Sequence, residues 1–246
     1  MLLVRRSVDA KLLSRMDPGY WHPAYDKIIE ASQAPLARLG DFIELITYGP
    51  IVTGRRPPQT DTGLVVIHQG QVGATGVDPT GAIRVAPGSP WDRENARLRW
   101  GDIVLPRSGV ASVAKNRVAV FLGDYEAVVG SFVDLVRLDG IDPVYGLLCV
   151  KTQLVWSQIH RIINGVGTPN ISFDEVRSLL VPVLPERLQL DFRSKYLQNV
   201  HPLHLAGLGG EEASAAQAAQ NMGHLITRLD ALVCGATDAQ EDTTND

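Results

Sequence analysis

From residue 36 to residue 138 the apolar residues gather only in short runs, at 42–47, 64–68, 82–86, 102–105, 118–122 and 131–138, separated by glycine and proline turns. Runs of that length suit strands, so the stretch predicts an antiparallel or mixed sheet of short strands. No repeat of 20–50 residues runs through it. The pattern then switches. Asp142-Pro143 opens a helix, aspartate as N-cap and proline at the first helical position. Tyr145, Leu148, Cys149, Thr152, Val155, Trp156, Ile159 and Ile163 continue it at a period near 3.6 toward Asn164-Gly165. After a polar loop, Ser172-Phe173-Asp174-Glu175 forms a capping box for a short helix through Leu180, and residues 181–185 read as a strand. Short strands followed by helices predict an α+β (α/β mixed) fold.

Four segments follow from these changes of texture. Residues 1–35 form a lead-in, with a turn at Asp17-Pro18-Gly19 and weak helical character over 24–31. Residues 36–186 form the β-rich domain. Residues 187–234 are helical, as parts of two helices over 186–200 and 211–234 interrupted at His201-Pro202 and at 207–210. In the second helix Ala215, Ala218, Met222, Leu225, Leu229 and Leu232 recur at spacings of 3, 4, 3, 4 and 3. That is a heptad seam suited to a partner helix or a second copy of the chain, and equally able to pack on its own domain. Residues 235–246 are polar and acidic and read as a disordered tail.

The chain is 45% hydrophobic and 20% charged, which excludes a disordered protein. No apolar run approaches the roughly 18–20 residues that span a bilayer, and Arg5, Arg6 and Lys11 with a short apolar start make a poor signal peptide. Cys149 and Cys234 match no metal or redox spacing, so a reducing, cytoplasmic setting is expected. The net charge of −4 is unevenly placed. Residues 201–246 hold one arginine against seven acids, whereas residues 1–200 hold 22 basic against 20 acidic side chains. The acidity belongs to the C-terminal part, and phosphate affinity depends on local clusters of cations rather than on the total.

Catalytic motifs are broken where they occur. Gly49 to Gly54 has P-loop glycine spacing but lacks the lysine and the following Ser/Thr, and Pro57-Pro58 block a helix start. Gly70, Gly73 and Gly76 have no strand-turn-helix around them. Asp17-Pro-Gly-Tyr20 and Asp142-Pro-Val-Tyr145 each lack the second proline of the amino-methyltransferase motif Asp-Pro-Pro-Tyr. His201 and His204 have no third ligand nearby in sequence, and there is no Gly-x-Ser-x-Gly elbow. The reading is a binding protein and not an enzyme, with no cofactor and no metal expected.

The order of motifs over residues 36–186 resembles the target-recognition domain of type I restriction–modification specificity (S) subunits. Leu36-Ala37-Arg38-Leu39-Gly40-Asp41-Phe42 matches the family's Leu-Gly-Asp-hydrophobic opening, and residues 65–72 are similar to its hydrophobic-Ile-x-x-Gly-x-hydrophobic segment. Leu98-Arg99-Trp100-Gly101-Asp102-Ile103-Val104-Leu105-Pro106-Arg107-Ser108-Gly109 is similar to its Leu-x-x-Gly-Asp-Ile-Leu-x-x-Arg-x-Gly. Asp142-Pro-x-Tyr145, the Gly-x-Gly-x-x-Asn loop and Val181-Pro182-x-x-Pro185 complete the set. The family carries two such domains, each followed by a long helix. Here there is one, its helix is interrupted, and the family's glutamine after the proline segment is replaced by Glu186-Arg187-Leu188-Gln189.

The resemblance implies a half-subunit that binds double-stranded DNA, as a homodimer or a single-domain module. Its partners would be a methyltransferase subunit and a restriction/translocase subunit, which would perform the chemistry. It also places the base-reading side chains. Arg55, Arg56 and Gln59 fall in a first loop, and His68, Gln69 and Gln71 in a second. Arg107, Ser108, Lys115, Asn116 and Arg117 surround a third, and Asn164, Thr168 and Asn170 lie in a fourth. Paired donors and acceptors read base edges while cations fix phosphates. Each has a plain alternative: a solvated turn for Arg55-Arg56, a structural ion pair for Arg107, turn geometry for Asn164 and Asn170. Trp91, Trp100 and Trp156 are assigned to core or interface. Two rival readings stand beside this one: a recognition fragment of a fused restriction–methylation enzyme, and an interaction module without DNA binding.

Overall fold

The computed structural model describes residues 22–51, 59–107, 116–162 and 170–235. Helix α1 (Pro23–Glu30) leads into strands β1 (Leu36–Arg38), β2 (Ile43–Tyr48), β3 (Gln59–Ile67), β4 (Arg84–Val85), β5 (Ile103–Pro106), β6 (Ala119–Val120), β7 (Ala127–Val129) and β8 (Val133–Leu138). Helices α2 (Pro143–Lys151), α3 (Gln153–Ile162) and α4 (Phe173–Ser178) follow, then β9 (Leu180–Pro182) and helices α5 (Glu186–Asn199), α6 (His201–Leu208) and α7 (Glu212–Cys234). The fold is α+β, as the sequence predicts.

Side-chain alternation sets the layers. In the antiparallel sheet β2-β8-β5-β6, Ile103 and Leu105 of β5 face the helices while Val104 faces the other way. On that other side lies the mixed sheet β4-β3-β7, in which β3 runs parallel to β7. Its Val65 and Ile67 meet Val104, and its Leu64 and Val66 pack outward with Val85, Trp91 and Val128. Both faces of β3 are therefore covered, which explains its unbroken apolar run. The predicted strands over 42–138 are all present in shorter or shifted form; β1 and β7, three residues each, were not foreseen.

The helical half departs from the periodicity in two places. The helix opened by Asp142 stops at Lys151, because Thr152 leaves the helical region (φ −63°, ψ 155°). Its hydroxyl donates to the Cys149 carbonyl and accepts from the Val155 amide, ending α2 and starting α3. Thr152 fits the apolar spacing, so periodicity alone hid the break. The interruption expected at 201–210 is itself a helix, α6, since Pro202 sits in its first turn where no amide is needed. The chain turns on either side of it, at Val200 and at Gly210 (φ 101°).

The C-terminal helices share the main core with the sheet. Ala218, Met222, Leu225, Leu229 and Val233 of α7 are buried together with Phe192 and Tyr196 of α5 and Leu148 of α2. The heptad seam thus packs on its own chain. This corrects the expectation of a partner helix for Ala218, Met222, Leu225 and Leu229, whose apolar faces are spent inside the fold. Leu232 is half-buried against the same core, and Ala215 lies against Gly207 of α6. Gln189, from the segment that replaces the family's glutamine, is buried and accepts from the Asp142 amide while donating to Leu184.

Candidate functional site

Strand directions bring the described parts of the second, third and fourth predicted loops to one end of the two sheets, while Gln59 opens β3 at its other end. Tyr48, the last residue of β2, pairs with Asp134 near the start of β8, and Pro106 at the end of β5 pairs with Val133. Ile67, the last residue of β3, pairs with Val129 at the end of β7, and β6 begins beside β5's exit. Short backbone bonds tie these exits together: Gly49 donates to Gly130, Gly130 to Ile67, Arg107 to Phe132 and Ile171 to Arg107. Gly49 and Gly130 carry no side chain because a Cβ would strike the Val129 carbonyl in one case and the His68 ring in the other. Segments 68–72, 107, 116–117, 130–132 and 170–173 therefore form one surface.

Of the first predicted loop, Arg55 and Arg56 lie outside the described residues, and Gln59 opens β3. In the second, the His68 ring stands edge-on to Trp91 at 5.3 Å. Gln71 accepts from the His68 amide in a capping box, and Gln69 donates to the Phe132 carbonyl. In the third, Ser108 and Lys115 lie outside the described residues. Arg117 donates to the carbonyls of Val72 and Gly70, so it holds the second loop in place. Asn116 occupies a left-handed turn position (φ 52°), and its carbonyl accepts from Lys151. In the fourth, Asn164 and Thr168 lie outside the described residues and Asn170 is exposed beside Ile171.

Arg107 has the most constrained setting. Its guanidinium lies 4.6 Å from the centre of the Tyr48 ring and 5.3 Å from that of Phe173. Its Nε is 3.5 Å from Oδ1 of Asp134, whose side chain is fully buried. Neither Asp134 oxygen receives a hydrogen bond. A buried carboxylate so poorly satisfied favours its neutral form: burial pushes Asp134 up to about 7, against the opposing pull of Arg107. A second buried charge lies behind the third loop. Lys151, at the C-terminus of α2, donates to the Asn116 carbonyl, and burial pushes its ammonium down to about 7.

Sequence reasoning missed Tyr48, Phe132, Phe173, Asp134 and Lys151. Phe132 is 59% exposed at the centre of this surface, between Gln69 and Arg107. The two buried charges did leave a signal: Asp134 stands inside the apolar run Phe132-Val133-Asp134-Leu135-Val136, and Lys151 ends the run Leu147-Leu148-Cys149-Val150-Lys151. Trp91 is buried as expected, while Trp100 is 48% exposed and carries Arg193 at 5.1 Å from its ring.

A separate cavity of about 320 Å³ lies where α6 meets the sheets, lined by Val77, Leu122, Tyr125, His201 and Leu205 among others. Beside it, His204 bonds to the Thr75 hydroxyl and the Val77 carbonyl, and the Tyr196 hydroxyl donates to the Thr75 carbonyl. These contacts fasten the C-terminal helices to the loop after β3. Among the described residues no group of three His, Cys, Asp or Glu side chains could hold a metal, and no helix is long and apolar enough to cross a membrane.

No protein-family model matches the chain, and no curated protein matches it. Solved structures do. The type IIG restriction endonuclease BpuSI shares the fold at a TM-score of 0.53 and 9% identity, over 86% of this chain and 33% of that one. The HsdS subunit from Thermoanaerobacter tengcongensis matches at a TM-score of 0.47 and 16% identity, over 92% of this chain and 53% of its own. A chain from a type I R-M system, solved for its complex assembly and conformational transition, matches at 0.48 and 14%, over 90% and 53%. The chain spans about half the length of these last two. At such identities the likeness is one of fold.

Proposed function

We propose that the chain is a sequence-reading DNA-binding module of a restriction–modification system, and that it sets a separate methyltransferase subunit on its target. The observation that carries this reading is convergence. The described parts of the second, third and fourth loops, distant in sequence, come to one end of the sheets, where Gln69, Gln71, Arg107, Arg117 and Asn170 share a surface. Base edges are read by paired donors and acceptors held at fixed spacing, and a surface braced by backbone bonds supplies that spacing. The fold shared with BpuSI supports the same assignment. Methyl transfer and cleavage belong to partners in this reading.

The test is selection of bound duplexes from a random library, with the chain alone and with the methyltransferase subunit. Enrichment of a short or two-part motif is expected. Absence of enrichment in both settings at low salt overturns the reading and leaves an interaction module on the same fold. A second reading is favoured by the match to a third of BpuSI, in which the module is the recognition part of a larger restriction enzyme. Tight binding of S-adenosylmethionine by the chain would select that reading.

A further inference from the structure

We propose that Arg107 is a pre-set, two-pronged donor for paired acceptors on a DNA duplex, and that Asp134 is the residue that positions it. The inference deepens the reading given above and rests on it. An exposed arginine samples many rotamers and loses that freedom on binding, whereas Arg107 is already held. Tyr48 and Phe173, whose ring centres lie 5.9 Å apart, pack side by side against its guanidinium, and the buried Asp134 carboxyl lies 3.5 Å from its Nε. Its side chain is 20% exposed. Among the described residues its two terminal nitrogens make no hydrogen bond, and the ring and carboxyl contacts restrict the directions in which the fork can point.

Asp134 itself makes little sense as a purely structural group. Its two oxygens are buried without a hydrogen bond, and an aliphatic side chain on β8 would fill that place without the desolvation cost. What the carboxylate adds is a direction for Arg107. A planar guanidinium with two parallel N–H groups matches the O6 and N7 acceptors of guanine in the major groove, and equally two oxygens of a phosphate. The shared chemistry is a pair of adjacent acceptors. Phe132, exposed on the same surface, accepts from the Arg107 amide through its backbone carbonyl.

The experiment uses the full chain and the duplex that it enriches from a random library, with Arg107→Ala, Arg107→Lys and Asp134→Asn compared to wild type. Arg107→Ala is expected to weaken binding about tenfold or more. If a guanine is the ligand, Arg107→Ala and Asp134→Asn both flatten the preference at one base pair and leave affinity for unrelated duplex unchanged. If a phosphate is the ligand, Arg107→Ala weakens all sequences alike and lowers the salt slope by about one, and Arg107→Lys restores most of the loss. Unchanged affinity and preference in Arg107→Ala overturns the inference while leaving the DNA-binding reading intact. Full wild-type behaviour in Asp134→Asn overturns the positioning role. No enrichment by wild type overturns both. Should a variant fail to fold in circular dichroism, the Arg107 guanidinium resonances of the wild-type chain decide: a shift on adding the duplex supports the inference, and unmoved signals overturn it.

Discussion

The carboxylate of Asp102 accepts two hydrogen bonds from the guanidinium of Arg137, at 2.8 and 2.7 Å, and so joins the turn before β5 to the end of β8. The same carboxylate accepts from the Arg99 amide, and Arg137 donates further to the Arg97 carbonyl. The Gly-Asp-Ile turn, part of the strongest of the motifs that resemble the family, is therefore a brace. Gly101 (φ 93°) makes the turn, Asp102 locks it, and Ile103 starts the strand. Asp102→Ala leaves a mostly buried guanidinium without its partner and is expected to cost about 3–5 kcal/mol in urea unfolding. The double variant Asp102→Ala/Arg137→Met should recover part of that loss. A cost below about 1 kcal/mol in the single variant would mean that the brace is not stabilising.

Two buried charges give the stability a pH dependence of opposite sign on either side of neutrality. Asp134 titrates near 7 when folded and near 3.8 when unfolded, so the folded chain holds the extra proton between those values. Its contribution is full below pH 3.8 and is lost as pH rises through about 7. Lys151 titrates near 7 when folded and 10.5 when unfolded, so its contribution is full above pH 10.5 and is lost as pH falls through about 7. Together they place a minimum of stability near neutral pH. Urea midpoints measured from pH 5 to 10 should lose their acid limb in Asp134→Asn and their alkaline limb in Lys151→Met. Parallel curves for wild type and both variants would contradict this.

Burial of the seam in α7 has a consequence for assembly. Leu229→Ala removes a side chain with no exposed surface and is expected to cost about 2–5 kcal/mol. The loss should be the same at low and high protein concentration, because the contacts of Leu229 are with its own chain. A midpoint that rises with concentration in wild type and loses that dependence in Leu229→Ala would return the seam to a partner.

What the sequence conveyed was the period of its apolar residues and the chemistry of its turns. Strand positions, the Asp142 cap and the Ser172–Glu175 capping box all depend on neighbours within a few positions, and the structure has them. Thr152 and the short helix α6 escaped because each depends on a local competition that periodicity does not register. The candidate surface divides in the same way. The loops were legible as polar interruptions between strands, but the roles within them were not. Arg117 braces a loop 45 positions away and Arg107 meets Tyr48 and Phe173 from opposite directions in the chain. Such pairings are made by strand register, which a single sequence does not display.

The brace supplied by Arg117 is open to a local measurement. Its Nε donates to the Val72 carbonyl at 2.8 Å and a terminal nitrogen to Gly70 at 3.2 Å, so the segment bearing Gln69 and Gln71 is held from the turn before β6. Arg117→Ala removes both bonds at a cost of about 1–3 kcal/mol. The effect should be regional. Amide hydrogens of Val72, Gly73 and Asp78, which bond within that segment, should exchange faster, while those of α2 and β5 keep their protection. Arg117→Lys should not restore protection, because one ammonium does not reproduce the spaced pair of donors that reaches both carbonyls. If Arg117 instead serves chiefly as a cation for phosphate, the exchange pattern stays as in wild type, Arg117→Lys retains DNA affinity, and only the salt slope of Arg117→Ala falls.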